Sequence, residues 1–280
     1  MFGYIQEILA DPKGMLLFFL LALPGRLLAI SAHESAHGYV ADRCGDPTAR
    51  LMGRITLNPI KHLDPIGLVM MVLFGFGWAK PVPVNPLHYR NFRRDDLKVS
   101  LAGIAMNLIL FCAGTLLLYG LVALALLRLP YHANSWFASE DLFRSVIDGT
   151  PALVSGRYYY DLNDLMKYGV SLSEVLIAPV FGKAVGYLYQ MLAYFLTTNL
   201  MLAVFNLIPV PPLDGYHVLN DLVLKRPLFA DQRAQAVGMG LLYLGVFSGV
   251  LDTALSWIYN GVMSQVGVFF SWIFSLAGLF

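Results

Sequence analysis

The sequence predicts an all-α integral membrane protein, a polytopic helical bundle with a small strand-like or re-entrant element on its cytoplasmic side. Three observations carry that prediction. Hydrophobic residues make up 58% of the 280 residues and charged ones only 13%, about half the ~25% of an ordinary soluble domain. The mean hydropathy is +0.63. Stretches such as Ser100 to Leu127 run without a charge for long enough to cross ~30 Å of hydrocarbon. No soluble stretch is long enough for a second domain, so residues 1–280 read as one membrane-embedded domain. The lipid bilayer is its surroundings. A net charge of +1 and the lack of a basic–aromatic pattern exclude nucleic acid as a partner. Cys44 and Cys112 have no spacing pattern and read as small apolar fillers.

Taken in order, Met1 to Ala10 lacks the basic start of a cleavable signal and reads as a short amphipathic piece at the interface. Asp11-Pro12 is a helix start, and the apolar run from Met15 predicts a span continuing past Pro24-Gly25 to about Arg43. Arg26 is an unexplained cation inside it. Gly53 to Asn58 alternates as a strand does and ends at Pro59. Leu68 to Ala79 is apolar but too short to cross, which predicts a re-entrant or interfacial element. Lys80 to Pro86 has a proline at every second or third position and is extended. Ser100 to Leu127, Ala184 to Ile208, Ala234 to Leu251 and Thr253 to Phe280 are long enough to span. The stretch of about 128–183 is the most polar and reads as a small extramembrane lobe.

Charge bias gives an orientation. Arg43, Arg50, Arg54, Lys61, Lys80, Arg90, Arg93, Arg94 and Lys98 crowd two early loops, while Glu140, Asp141, Asp148, Asp161, Asp164 and Glu174 weight the lobe. The positive-inside rule places those loops in the cytoplasm and the lobe outside. The chain is then a multi-pass protein of the cell membrane with its N-terminus outside and His37 and Asp214 toward the cytoplasm.

The chemistry centres on His33-Glu34-Ser35-Ala36-His37, set within Leu, Ile, Ala and Val. Residues four apart on a helix share a face, so both imidazoles can bind one zinc ion, with Glu34 at the edge of that face. Ionisable groups at membrane depth are costly and mark function. A third ligand is needed. Asp214, held in a proline-rich turn before Gly215, is one candidate; it equally suits the N-cap of a short helix over Gly215 to Leu224. Asp64, His62 and His217 compete with it. Asn107, mid-span and four residues after Gly103, faces either another helix or the site cavity. Asn199 and Asn206 are open to the same two readings.

Three elements in one order resemble the site-2 proteases, the zinc intramembrane metalloproteases. They are His33-Glu34-Ser35-Ala36-His37, then Gly103-Ile104-Ala105-Met106-Asn107, then Asn206-Leu207-Ile208-Pro209-Val210-Pro211-Pro212-Leu213-Asp214-Gly215. Arg54 to Pro65 and Lys80 to Asn85 are similar to the compact bacterial subgroup without PDZ or CBS domains. The resemblance implies one catalytic zinc ion on His33, His37 and Asp214. It implies Glu34 as general acid/base and Asn107 near the scissile peptide. The expected activity is hydrolysis of membrane-spanning substrates, with Asn206 and the strand-like edge of Gly53, Ile55 and Asn58 as further substrate contacts. The rival expectation is a zinc-binding membrane protein that hydrolyses nothing, a transporter or a pseudoenzyme. Glu34 separates them, because a transport site has no need of a non-ligating carboxylate beside the histidines.

Overall fold

The computed structural model describes residues 9–74, 77–128, 177–224 and 232–277, together with Ser173. The expected interfacial piece at Met1 to Ala10 and the polar lobe lie almost wholly outside these residues. The described chain is helical, as its composition predicts. Helix α1 (Pro12–Cys44) begins where Asp11 caps it, the carboxylate accepting the Gly14 N–H at 3.0 Å, and Pro12 supplies the first turn. It runs unbroken past Pro24 and ends at Gly45, so the whole histidine motif is helical. Arg26 is buried within it, its guanidinium 5.4 Å from the centre of the Phe18 ring. A cation over an aromatic face is one way to hold a charge among apolar side chains.

Helix α2 (Pro65–Phe74) has ten residues, about 15 Å at 1.5 Å each, too short to cross. Helices α3 (Phe92–Arg128) and α4 (Lys183–Asn206) follow, then the short α5 (Asp214–Leu219), α6 (Gln232–Ser248) and α7 (Val250–Leu276). Helix α1, residues Phe92–Ala125 of α3, and α4 are each long and apolar enough to cross a membrane, and α6 with α7 pass the same measure as a pair. The break between that pair falls at Gly249, before the expected position, and Asp252 enters the first turn of α7.

The strand-like element does not form. Among the described residues the only ladder contact is an isolated antiparallel bridge between Leu63 and Ala79. The cause lies in α1. The Ser35 hydroxyl accepts the Thr56 N–H at 3.0 Å and donates back to the Thr56 carbonyl, which also accepts from His62 Nε2 at 2.8 Å. Side chains thus use both backbone groups of Thr56, and no neighbouring strand can pair there. The extended stretch is instead Lys80 to Asn85. Arg54 donates to the carbonyls of Lys80 and Pro81 at 2.8 and 3.1 Å, and Asp46 accepts the Asn85 N–H at 2.6 Å.

The chain divides into two compact units. One comprises Met1–Phe111 with Thr198–Asp252 and holds α1, α2, the first half of α3, the end of α4, α5 and α6. The other comprises Cys112–Thr197 with Thr253–Phe280. In it Tyr119 stacks on Phe270 at 4.1 Å, and Thr197 Oγ1 lies 2.9 Å from Tyr259 Oη.

Candidate metal centre

Helix α1 carries His33 and His37 one turn apart, their rings edge to face with centroids 4.6 Å apart. Each ring is fixed through Nδ1. His33 Nδ1–H donates to Asn107 Oδ1 at 2.6 Å, and His37 Nδ1–H donates to the Val99 carbonyl at 2.7 Å. Both acceptors lie on α3. A neutral imidazole with its proton on Nδ1 has a bare lone pair on Nε2. The two Nε2 atoms face each other at 3.0 Å.

Asp214 completes the set. The helix start at Leu213 has no side-chain cap, so Asp214 is not the N-cap of α5. Its Oδ2 lies 3.3 Å from His33 Nε2 and 3.4 Å from His37 Nε2, is buried, and has no hydrogen-bond partner. His33, His37 and Asp214 each offer a ligand atom, all within 4.8 Å of one another. Three electron-rich atoms with no proton between them repel unless a cation lies among them. A tetrahedral ion with bonds of ~2.0–2.1 Å places its donors about 3.3 Å apart. The spacing and the chemistry of this set fit zinc.

Close backbone approach builds the cluster. A Cβ on Gly103 would lie 2.5 Å from His33 Cε1 and 2.7 Å from His33 Nδ1, so only glycine lets α3 pass against the histidine pair. A Cβ on Gly215 would lie 2.7 Å from the Ile208 carbonyl oxygen and nearer still to that of Leu207. The proline-rich turn that presents Asp214 therefore closes only around glycine.

Glu34, half-buried, accepts the Val82 N–H through Oε2 at 2.7 Å. The extended Lys80 to Asn85 stretch is thus fastened beside the motif. The other expected residues are not part of the three-residue cluster. Asn107 is fully buried, with its oxygen on His33 and its nitrogen on Asn199. Asn206 donates to the Leu202 carbonyl of its own helix at 3.0 Å. Gly53 and Asn58 are exposed, and Asn58 caps a short turn by accepting the Ile60 N–H at 3.1 Å. Ile55 packs beside Gly38 of α1. Among the rival ligands, Asp64 accepts the Gly67 N–H at the start of α2, His62 is buried against Thr56, and His217 pairs with Asp96 at 2.9 Å. None of the three joins the cluster.

The Asp96 contact raises the His217 pKa above its usual value, and burial together with the Asp96 charge pushes Asp221 up to about 6. Arg93 donates to the Asp221 carbonyl, 2.7 Å from its Nε. These bonds tie α5 and the turn after it to the start of α3. The sequence reading missed the backbone partners Val82 and Val99. Nothing could have flagged them, because any residue type supplies a backbone N–H or carbonyl.

Helices of membrane-spanning length around a histidine–histidine–aspartate donor set define a helical membrane protein with a metal-ligand centre. By sequence, this chain belongs to peptidase family M50, whose family model matches residues 18–247. It is 32% identical over 271 residues to YwhC of Bacillus subtilis (strain 168), named as a candidate zinc metalloprotease, covering 96% of this chain and 98% of that one. It is 27% identical over 266 residues to Rip2 of Mycobacterium tuberculosis (strain ATCC 25618 / H37Rv), also so named, covering 93% of this chain and 75% of that one. No solved structure matches.

Proposed function

We propose that this protein is a zinc endopeptidase that cuts membrane-spanning substrates, with His33, His37 and Asp214 as ligands of one ion and Glu34 as general acid/base. The observation that carries the reading is the convergence of two Nε2 atoms and Asp214 Oδ2 within 3.4 Å of one another, with a carboxylate at the next helix position. Membership of a peptidase family and the names of the relatives support it. When bound, zinc supplies Lewis-acid chemistry, polarising a peptide carbonyl and lowering the pKa of water toward ~7.

The chain's own residues do the rest. Val82 N–H fixes one oxygen of Glu34 and leaves the other to take the proton of the attacking water. Glu34 then gives that proton to the leaving nitrogen. The Nδ1–H bonds to Asn107 and Val99 orient the two rings so that both Nε2 atoms face Asp214. A helical substrate hides its peptide bonds, so it must unwind before it is cut. The site lies toward the cytoplasmic side of a multi-pass protein.

The test compares wild type with Glu34→Gln on a purified membrane-spanning substrate. The expected result is unchanged zinc content with cleavage lowered about 10²–10⁴-fold. Equal turnover by the two proteins rejects the proposal, and zinc retained by His37→Ala at wild-type affinity rejects the ligand set.

A further inference from the structure

We infer that Asn199 is a positioning residue: through the side-chain amide of Asn107 it selects the His33 tautomer able to bind a metal. The inference rests on the ligand set proposed above. Asn107 and Asn199 are both fully buried, on α3 and α4, within helices of membrane-spanning length. Asn107 Oδ1 lies 2.6 Å from His33 Nδ1, and its Nδ2 lies 2.9 Å from Asn199 Oδ1 and 3.4 Å from the Ala29 carbonyl.

A carboxamide has an accepting end and a donating end, and turning it over exchanges them. With oxygen toward His33, the imidazole proton stays on Nδ1 and Nε2 is free to coordinate. With nitrogen toward His33, Nδ1 must accept, the proton moves to Nε2, and His33 is lost as a ligand. His37 needs no such safeguard, because its acceptor is the backbone carbonyl of Val99, which cannot turn over. Asn107 can. What holds it are the two acceptors on its nitrogen side, and Asn199 is the closer by 0.5 Å (3.4 against 2.9 Å). A polar side chain placed in a charge-free span at a desolvation cost therefore has a chemical task, beyond joining α3 to α4.

The two roles are separable by experiment. Asn199→Leu removes the acceptor, whereas Asn199→Asp keeps it. Asn107→Asp offers His33 an oxygen whichever way it turns, and so removes the need for Asn199. Zinc affinity of the purified proteins is read by competition with a chromophoric chelator, alongside thermal stability. We expect Asn199→Leu to bind zinc about 10–100-fold more weakly, Asn199→Asp to stay within about threefold, and the double variant Asn107→Asp/Asn199→Leu to recover most of the loss. A mere packing role predicts lower stability at unchanged affinity and no recovery, and that result overturns the inference.

A second measurement needs no variant. In zinc-free wild type, ¹⁵N NMR of labelled histidine should show the His33 proton on Nδ1; a proton on Nε2 overturns the inference even where Asn199→Leu fails to fold. His37→Ala serves as the control for the site. If it too keeps wild-type affinity, the ligand set has failed. If it abolishes binding while Asn199→Leu does not weaken it, only the role of Asn199 has failed.

Discussion

His33 and His37 are legible as a pair because helical register is local: four residues fix their common face whatever the rest of the chain does. What would fit them to bind a metal, though, is supplied from α3, by one amide oxygen, one carbonyl and the bare flank at Gly103. Gly103→Ala tests that flank directly. Its methyl would enter the space between the two imidazoles, so the rings must turn or α3 must retreat. We expect zinc affinity to fall at least tenfold in a chain that still folds, measured by chelator competition. Retention of full affinity would mean that α3 does not press on the histidine pair. Asp214 could not be assigned from spacing, because an aspartate before Gly215 suits a helix cap as well as a ligand. In the structure the helix start carries no side-chain cap, and Asp214 Oδ2 lies 3.3 and 3.4 Å from the two Nε2 atoms, which supports the ligand reading.

Among the elements, the stretch from Gly53 to Asn85 is where pattern and structure part. Alternation at Gly53 to Asn58 suggested a strand, but a serine on α1 takes both backbone groups of Thr56. The prolines of Lys80 to Asn85 did forecast an extended chain, since they bar helix and leave few N–H groups to satisfy. Its anchor is Asp46, fully buried, which accepts from the N–H of Asn85 at 2.6 Å, from Thr48, and from His88 Nδ1 at 3.0 Å. Burial pushes the Asp46 carboxyl up, but these donors, Asn85 foremost, outweigh it and hold its pKa below the usual value. A depressed carboxyl pKa stabilises the fold above the unfolded value of ~3.9, and that stabilisation is lost as pH falls through the folded value. Asp46→Ala should cost about 1–2 kcal/mol at pH 7, by leaving the part-buried N–H groups of Asn85 and Thr48 without their acceptor, and should flatten the acid limb of a stability–pH curve below pH 4. An unchanged midpoint at both pH values would show that the strap is held elsewhere. The α5 link behaves oppositely: the raised His217 pKa makes its bond to Asp96 strongest below ~6.5 and weaker as pH rises through the folded value.

At the scale of the whole molecule, the proposed ligands come from near the two ends of the family match, and helix length bears on where they would meet in a membrane. His33 lies 21 residues beyond Pro12 in an unbroken helix, roughly 32 Å along its axis, and α4 with 24 residues runs about 36 Å. A helix entering at Pro12 therefore delivers the motif close to the opposite boundary of a ~30 Å hydrocarbon layer. Helix α4 ends at Asn206, eight residues before Asp214, so the third ligand is reached only after most of a crossing. These lengths were readable from hydropathy. Charge bias also put His37 and Asp214 on one side, but their contact was not readable, since no local pattern reports a contact between residues so far apart in the chain. The basic loops on either side of Pro65–Phe74 then predict that the shared boundary is the cytoplasmic one. The test introduces single cysteines at Leu57, which is 58% exposed, and at Ser139 in the polar stretch, in a chain with Cys44 and Cys112 both replaced. A membrane-impermeant maleimide should label Ser139→Cys in intact cells and Leu57→Cys only in inverted vesicles. Labelling of Leu57→Cys from outside would reverse the orientation and place Asp214, with the site it completes, on the outer face.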